Sequence, residues 1–156
     1  MGNKAQDHEP FIEVSKITEN IYLGSSMCCK KHESYHGKVL SKFDIYADID
    51  LRSEYMESNP DVKVHVRLPV EDTYPPSIDQ IEVGVEVIQK IVDLDKKVFV
   101  HCQIGHGRSP TLVIAYLMLK QDMDYNKAFE FVAKQRPEIH PTDRQVEFLK
   151  SLKSLV

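Results

Sequence analysis

Short apolar stretches, some with a two-residue period, mark the first two thirds of the chain and predict β-strands. The clearest is 62–70, where valine or leucine occupies every second position from 62 to 68. A run of β-branched and aromatic residues at 96–102 favours a strand buried on both faces. We predict four strands in all, at 21–23, 43–53, 62–70 and 96–102.

Between and after these strands the apolar residues follow a helical period. Ser77 with Gln80, and Thr142 with Gln145, have the spacing of a capping box, which satisfies free N–H groups in the first helical turn. Asp124 is a further candidate N-cap. We predict helices at 77–94, 109–121, 124–137 and 142–155, and another over 25–42 that is interrupted near Gly37.

The order of these elements indicates the fold class. Strands alternate with helices early in the chain, whereas helices accumulate at its C-terminus. This order predicts an α/β fold, a single domain with a small central, mostly parallel sheet flanked by helices. A length of 156 residues fits one domain with a sizeable core. We assign 12–156 to that domain and expect the polar segment 1–11 to be a flexible tail.

The overall charge limits the kinds of partner. The formal net charge is −4, so we expect no nucleic-acid partner and no general attraction to anionic membranes. Any recognition of anions must therefore be local. No feature of the sequence indicates an oligomer, and a monomer is our default expectation.

The cysteines and the N-terminus bear on the cellular setting. Three cysteines, two of them adjacent, do not resemble a secreted disulfide framework, so we expect a reducing, cytoplasmic location. No apolar run approaches the length that spans a bilayer. Gly2 meets one requirement of N-myristoylation, but Gln6 stands where Ser or Thr is expected. Membrane association is therefore expected only if Gly2 is acylated.

Residues 98–112 read VFVHCQIGHGRSPTL and carry the candidate chemistry. A loop that enters a helix N-terminus presents unpaired N–H groups and the positive end of the helix dipole. Gly105 and Gly107 allow the backbone to curl around an anion. Arg108 adds a planar guanidinium that holds two oxygens of a phosphate. Together these features predict a phosphate-binding loop, formed by Gln103, Ile104, Gly105, His106, Gly107 and Arg108.

Cys102 stands at the mouth of this loop, where the positive field favours thiolate over thiol. A thiolate that faces a bound phosphoryl group is placed for nucleophilic attack. Ser109 can donate a hydrogen bond to the sulfur as it leaves, and His101 is expected to order the loop rather than to act as a base. The alternative is a buried cysteine before an ordinary turn. The joint presence of Cys102, two glycines and Arg108 between a strand and a helix disfavours that alternative.

The motif His101-Cys102-(five residues)-Arg108-Ser109 resembles the signature of the protein tyrosine phosphatase superfamily. The short length and the opening ITENIYLGS are similar to the dual-specificity phosphatases, in particular the small atypical ones, and the resemblance extends over 17–149. It implies the protein tyrosine phosphatase-like fold. Rhodanese and the Cdc25-type phosphatases also use a Cys-(five)-Arg loop, but the glycine at 105 and the serine at 109 favour the dual-specificity branch. We expect no metal or other cofactor, because Arg108 and the helix end supply the positive charge.

A phosphatase also needs a group that protonates the leaving oxygen and later activates water. In the family this is an aspartate on a loop about thirty residues before the cysteine, which corresponds to Asp72 here. Without the loop motif, Asp72 is equally well explained as the start of a turn. Glu71 is the fallback candidate, and Asp48 and Asp50 are weaker because they lie within a strand.

The expected reaction is hydrolysis of phosphotyrosine and phosphoserine or phosphothreonine in proteins, through a cysteinyl-phosphate. Two alternatives stay open, namely a phosphoinositide, phospholipid or phosphoglucan substrate, and a phospho-binding module without catalysis. His106 either adds charge for a polyanionic substrate, as in lipid-directed phosphatases with a lysine there, or only packs the loop.

Further residues carry weaker expectations. The segment 136–145 is either an interhelical turn or a pocket edge, and Tyr74 and Arg52 are candidate rim residues. The cysteines and histidines between 28 and 36 are better explained by a helix that is partly buried and partly solvated than by a zinc site. The pocket-edge candidates are Ile139, His140 and Arg144, and the zinc candidates are Cys28, Cys29, His32 and His36.

Overall fold

The computed structural model of the chain describes residues 12–26, 33–54 and 61–156, without the side chains of 33–36. The predicted tail 1–11 lies outside these residues. The described residues form ten elements in chain order: β1 (Val14–Lys16), β2 (Ile21–Gly24), α1 (Glu33–Lys42), β3 (Ala47–Arg52), β4 (Val64–Val70), α2 (Ile78–Asp93), β5 (Val98–His101), α3 (Arg108–Lys120), α4 (Tyr125–Gln135) and α5 (Asp143–Leu155).

The strands form one five-stranded sheet in the order β1-β2-β5-β3-β4. β2, β5, β3 and β4 are mutually parallel, and only β1 is antiparallel to its neighbour. Parallel neighbours need crossover connections, and helices supply them on the faces of the sheet. The expectation of a single-domain α/β fold with a mostly parallel sheet is therefore confirmed.

The parallel arrangement brings four separate chain segments to one edge of the sheet. β2 leads to Ser26, β3 to Glu54, β4 to Asp72 and β5 to Cys102. Because the carboxyl ends of parallel strands meet at the same edge, residues distant in sequence gather there. That edge is where an α/β protein places its functional site.

The two faces of the sheet differ in what covers them. The main hydrophobic core lies on one face, where α2 and α3 contribute Ile81, Ile88 and Leu112. A smaller cluster on the other face contains Leu40 of α1 with Phe99. α3 is buried from Arg108 to Met118, which explains its nearly continuous apolar sequence.

The secondary structure differs from the sequence-based expectation in several places, one of which is the strand expected over 43–53, which begins only at Ala47 because Phe43 and Asp44 form a turn after α1. β1 was not expected, because a three-residue edge strand is too short to show a period. Ser25 and Ser26 precede α1 without being helical, and α1 runs through Gly37 without a break, so the expected helix over 25–42 was too long and its interruption was wrong.

The capping boxes at Ser77 and Thr142 are both present. Among the described residues, no helix is long and apolar enough to cross a membrane.

Candidate active site

A cavity of about 300 Å³ opens over the loop that joins β5 to α3. The cavity lies at the carboxyl edge of the sheet, at the N-terminal end of α3. Its floor and walls come from that loop, from the segment after β4, and from the start of α5. The lining residues are Asp72, Thr73, Cys102, Gln103, Ile104, His106, Gly107, Arg108, His140, Thr142 and Gln145.

Six consecutive carbonyl oxygens in this loop, those of 102–107, are bound by donors from outside the loop. The donors are, in order, the Ser26 hydroxyl, the Ser26 N–H, Nη2 and Nε of Arg136, the His140 N–H, and the N–H and hydroxyl of Thr111. Within the described part of the chain, no N–H of 103–107 donates a hydrogen bond. The N–H groups therefore stay available for an anion, as in a backbone nest.

Gly105 allows the loop to close on itself. Its φ is 72°, in the left-handed region where a side chain is disfavoured. A Cβ at this position would lie 2.6 Å from the backbone of Gly24 and 2.8 Å from Nη2 of Arg136. Gly105 thus packs against β2, and it is the one residue of the predicted loop 103–108 that does not line the cavity.

Cys102 lines the cavity and is 2% exposed. Ser109, buried in the first turn of α3, places its hydroxyl oxygen 3.2 Å from Cys102 Sγ. A hydroxyl at this distance can donate a hydrogen bond to a thiolate. The structure therefore brings together the two residues to which the sequence analysis assigned the roles of nucleophile and hydrogen-bond donor.

Arg108 is buried and held rigidly on one side. Its Nη1 donates to Glu54 Oε2 at 2.7 Å and to the Val70 carbonyl at 2.9 Å, and its Nη2 donates to Glu54 Oε1 at 2.7 Å. Its Nε is buried and donates no hydrogen bond among the described residues. A buried donor of this kind is costly unless a ligand satisfies it, so it fits an oxygen of a bound phosphate.

The Glu54–Arg108 ion pair also shifts the pKa of both side chains. The hydrogen bond from Arg108 lowers the pKa of Glu54 to about 2. Burial alone would lower the pKa of Arg108, but the Glu54 hydrogen bond and the charges of Cys102, Glu54 and Asp72 raise it above its ordinary value. Both groups therefore stay charged across the neutral range.

Asp72 lines the cavity, whereas Glu71 does not. The Asp72 carboxylate lies 3.5 Å from Arg108 Nε and also accepts the N–H of Thr73 at 2.9 Å. Of the two acid candidates, Asp72 alone is placed to meet a group bound at Arg108.

The loop that carries Asp72 is fastened to the start of α5. The Thr142 hydroxyl donates to the Thr73 carbonyl at 2.7 Å, and Gln145 Nε2 donates to the Tyr74 carbonyl at 3.0 Å. Thr73 has a φ of 73°, which a β-branched residue rarely adopts. Hydrogen bonds to two successive carbonyls offset that strain and hold Asp72 over the cavity.

A match to a family model agrees with this geometry. Residues 21–154 match the dual specificity phosphatase catalytic domain. The chain belongs to that family. The resemblance noted in the sequence is thereby confirmed.

Two relatives of this dual-specificity phosphatase domain have different named activities. It is 33% identical over 131 residues to the tyrosine-protein phosphatase vhp-1 of Caenorhabditis elegans, a match that covers 82% of this chain and 19% of that protein. It is 40% identical over 85 residues to the phosphatidylglycerophosphate phosphatase PTPMT2 of Arabidopsis thaliana, covering 53% of this chain and 37% of that protein. The matched region is thus well under half of either relative.

Among solved structures, the domain is similar to the crystal structure of PTPMT1. The TM-score is 0.77 at 26% sequence identity, and the match covers 92% of this chain and 95% of that chain. PTPMT1 in complex with PI(5)P matches with the same TM-score of 0.77 at 25% identity, covering 91% and 95% of the two chains.

The weaker acid candidates occupy a different place in the dual-specificity phosphatase domain. Asp48 and Asp50 are fully buried on β3. Arg52 is also buried rather than at the rim, because its Nε and Nη2 donate to the Asp50 carboxylate at 2.9 and 2.8 Å. These residues do not line the cavity.

The pocket-edge segment is only partly at the cavity. His140 lines it, and its N–H donates to the His106 carbonyl of the phosphate-binding loop, whereas Ile139 is buried. The Arg144 guanidinium lies 4.1 Å from the centre of the Tyr74 ring, a cation–π contact on the exposed rim. His106 itself lines the cavity.

Of the zinc candidates, Cys28, Cys29 and His32, and the side chain of His36, lie outside the described residues. Within 12–26, 33–54 and 61–156, no group of three or more His, Cys, Asp or Glu residues is placed to hold a metal ion.

The sequence did not indicate several groups that shape the site. Ser26 and Glu54 follow β2 and β3, so the rule that strand ends meet at one edge would have pointed to them once the strand order was known. Arg136 and Gln145 belong to the segment considered as a pocket edge, but their hydrogen bonds to distant loops leave no sequence signal.

Proposed function

We propose that this domain hydrolyses phosphomonoesters through a cysteinyl-phosphate intermediate, with phosphotyrosine and phosphoserine or phosphothreonine in proteins as substrates. The observation that carries the proposal is the buried Nε of Arg108 beside Cys102, which donates no hydrogen bond among the described residues, in a loop whose carbonyls are all bound on its outer side. Asp72 lies 3.5 Å from this Nε, and a bound phosphate oxygen would supply the hydrogen-bond acceptor.

In the first step the substrate phosphate binds the loop N–H groups and Arg108. The Cys102 thiolate attacks phosphorus, and the bond to the leaving oxygen breaks with its electron pair staying on that oxygen. Asp72 supplies the proton that this oxygen takes up. Arg108 and the loop N–H groups stabilise the charge on the three other oxygens, and this preorganised field is the main source of rate enhancement.

In the second step water attacks the phosphorus of the cysteinyl-phosphate. The Asp72 carboxylate takes a proton from this water, and the sulfur–phosphorus bond breaks with its electron pair returning to sulfur. The Ser109 hydroxyl, 3.2 Å from the sulfur, donates a hydrogen bond to the departing thiolate. Inorganic phosphate then leaves, and Cys102 is ready for another cycle.

Hydrolysis of p-nitrophenyl phosphate tests whether the domain is an enzyme. We expect turnover by the wild type and none by Cys102→Ser, while both bind vanadate or phosphate. A wild type as inactive as Cys102→Ser would leave only the phospho-binding module.

A pair of neighbouring carboxylates tests the role of Asp72. We expect Asp72→Asn to lower kcat by about 10²–10⁴-fold, the usual contribution of a general acid–base group. Glu71→Gln removes the same charge one residue away and should keep kcat close to wild type. The assignment fails if the two variants lose activity equally.

A second candidate substrate is a phospholipid headgroup. It is supported by the 40% identity with PTPMT2, whose name specifies phosphatidylglycerophosphate, and by the similarity to PTPMT1 solved with PI(5)P. His106 and His140 line the cavity, where their rings would offer hydrogen-bonding nitrogens to such a substrate. Rates on phosphotyrosine and phosphothreonine peptides, compared with rates on both lipids in mixed micelles, decide between the two classes.

A further inference from the structure

The face of the sheet opposite the main core contains ionisable groups that the proposed reaction does not use. Asp48 and Asp50 on β3 and His101 on β5 are all 0% exposed. His101 directly precedes the nucleophile. Buried charges are costly to retain unless they are paired. These charges lie next to the phosphate-binding loop 103–108, which is the catalytic loop of the proposed function, so their presence there needs a physical explanation.

The hydrogen atoms around Ser26 constrain the state of His101. The Ser26 hydroxyl has one proton, and it donates that proton to the carbonyl of Cys102 at 2.7 Å, since a carbonyl only accepts. Ser26 Oγ is also 2.7 Å from Nδ1 of His101. With its own proton committed, the Ser26 oxygen must accept, so Nδ1 of His101 carries a hydrogen.

The other ring nitrogen faces a carboxylate. Nε2 of His101 lies 2.9 Å from Oδ1 of Asp48. The contact is a close ion pair and is not aligned as a hydrogen bond. At this distance the carboxylate charge favours a proton on Nε2. His101 is therefore a doubly protonated imidazolium, and Asp48 is the anion that balances it.

The charges that face His101 from its neighbours agree with this state. Burial acts to lower the pKa of His101, and Arg52 lowers it too, but the charge and close contact of Asp48 and the charge of Asp50 raise it to about 9. Asp50 Oδ1 is 4.0 Å from Nδ1. From β4, His65 contacts the second oxygen of Asp48 at 2.9 Å, so this carboxylate lies between two histidines.

We propose that Asp48 is a positioning residue for the nucleophile: it keeps His101 doubly protonated, so that the Ser26 hydroxyl remains committed to the Cys102 carbonyl and a buried positive charge adjoins the thiolate. If His101 became neutral with its hydrogen on Nε2, the Ser26 proton would be drawn to Nδ1. The Cys102 carbonyl would then lose its donor, and the start of the catalytic loop would be free to turn.

The proton assignment is tested by nitrogen-15 NMR of the histidine side chains in the full chain, with His101 identified from a His101→Asn variant. In the wild type we expect both ring nitrogens to be protonated at about pH 7.5. In Asp48→Asn, which keeps the size but removes the negative charge, the imidazolium should be lost at that pH. A neutral His101 in the wild type, or a persistent imidazolium in Asp48→Asn, overturns the proposal.

The link to catalysis is tested by the pH dependence of kcat, and this second measurement rests on the proposed function. Asp48→Asn should approach wild-type activity near pH 5.5, where His101 is charged in both proteins, and fall at least about tenfold below it near pH 8. A merely structural role would lower kcat by the same factor at every pH, and that result counts against the proposal. Asp122→Asn, the same change at an exposed aspartate, should match the wild type throughout.

Ser26→Ala provides a variant that leaves every charge in place. We expect it to keep the His101 imidazolium in the NMR spectrum while lowering kcat by a pH-independent factor, because it removes the donor to the Cys102 carbonyl and the acceptor of His101 Nδ1–H but no charged group. A wild-type kcat in Ser26→Ala contradicts the positioning role.

An inactive wild type that still shows the imidazolium would refute the proposed function and leave the proton assignment intact. If Asp48→Asn fails to fold, the wild-type spectrum and Ser26→Ala still decide.

Discussion

The six residues of β3 form two buried sides, one apolar and one charged. One side, Ala47, Ile49 and Leu51, packs into the main hydrophobic core. The other side, Asp48, Asp50 and Arg52, is just as buried but consists of charges. The apolar side stabilises the domain without regard to pH, whereas the charged side is tied to the catalytic loop through His101.

The buried charges of β3 are not required for stability, and their position indicates a role at the site. Replacing a buried ion pair by apolar residues is often neutral or stabilising, so burial of Asp50 with Arg52 is not explained by stability alone. Its position one strand away from His101, at the register Asp50↔His101, links it to the site instead.

The largest effect on stability is expected on the charged side. Asp50→Asn keeps the shape but removes the carboxylate that three nitrogen atoms of Arg52 contact, and breaking such a buried pair costs about 3–5 kcal/mol. Urea unfolding at neutral pH measures this loss. kcat per folded molecule should fall as well, because Asp50 also contributes to the charge of His101. A stable, fully active variant would show that the charged side is not tied to the loop.

A somewhat smaller effect is expected on the apolar side. Ile49→Ala leaves a cavity in the main core and should lower the free energy of unfolding by about 2–5 kcal/mol. kcat and KM per folded molecule should stay at the wild-type values, since Ile49 contacts neither the loop donors nor His101. Loss of kcat in Ile49→Ala, at a temperature where the protein is fully folded, would contradict the division between the two sides.

The sequence predicted the apolar side of β3 but not the charged one. An alternating D-I-D-L-R pattern is typical of a strand with one solvent-exposed side. Here the polar side is covered as well, which depends on tertiary packing that no local pattern encodes. The same limit applies to α1, where Gly37 lowers helix propensity but the helix continues through it.

The smallest effect is expected from a change of one pH unit. The pKa of His101 is raised from 6.5 to about 9 in the folded state. Its stabilisation is therefore complete below pH 6.5 and is lost as the pH rises towards 9, because the unfolded chain releases the proton first. The free energy of unfolding should fall over this range by at most about 1.4 kcal/mol per pH unit.

Thermal unfolding followed by calorimetry across this range checks the slope. Asp48→Asn should flatten it, and Asp122→Asn should not. A wild-type stability that rises between these pH values would contradict the assignment of a charged His101.

The site itself was predictable to the extent that it is local. Cys102, Arg108 and Ser109 lie within one strand–loop–helix segment, and the spacing of glycines around Arg108 indicates an anion. Asp72 came from the family resemblance and is now placed by its 3.5 Å contact with Arg108. Glu54, Ser26 and Arg136 were missed because they come from elsewhere in the chain and act on the loop across the folded sheet.

The central claim is that Cys102 becomes phosphorylated during turnover. The most direct measurement is a denaturing quench of the enzyme during steady-state hydrolysis of p-nitrophenyl phosphate, followed by peptide mapping by mass spectrometry. We predict a phosphoryl group on the peptide that contains Cys102, and none in Cys102→Ser. Turnover with the phosphoryl group on another residue would contradict the mechanism, and so would equal turnover by Cys102→Ser.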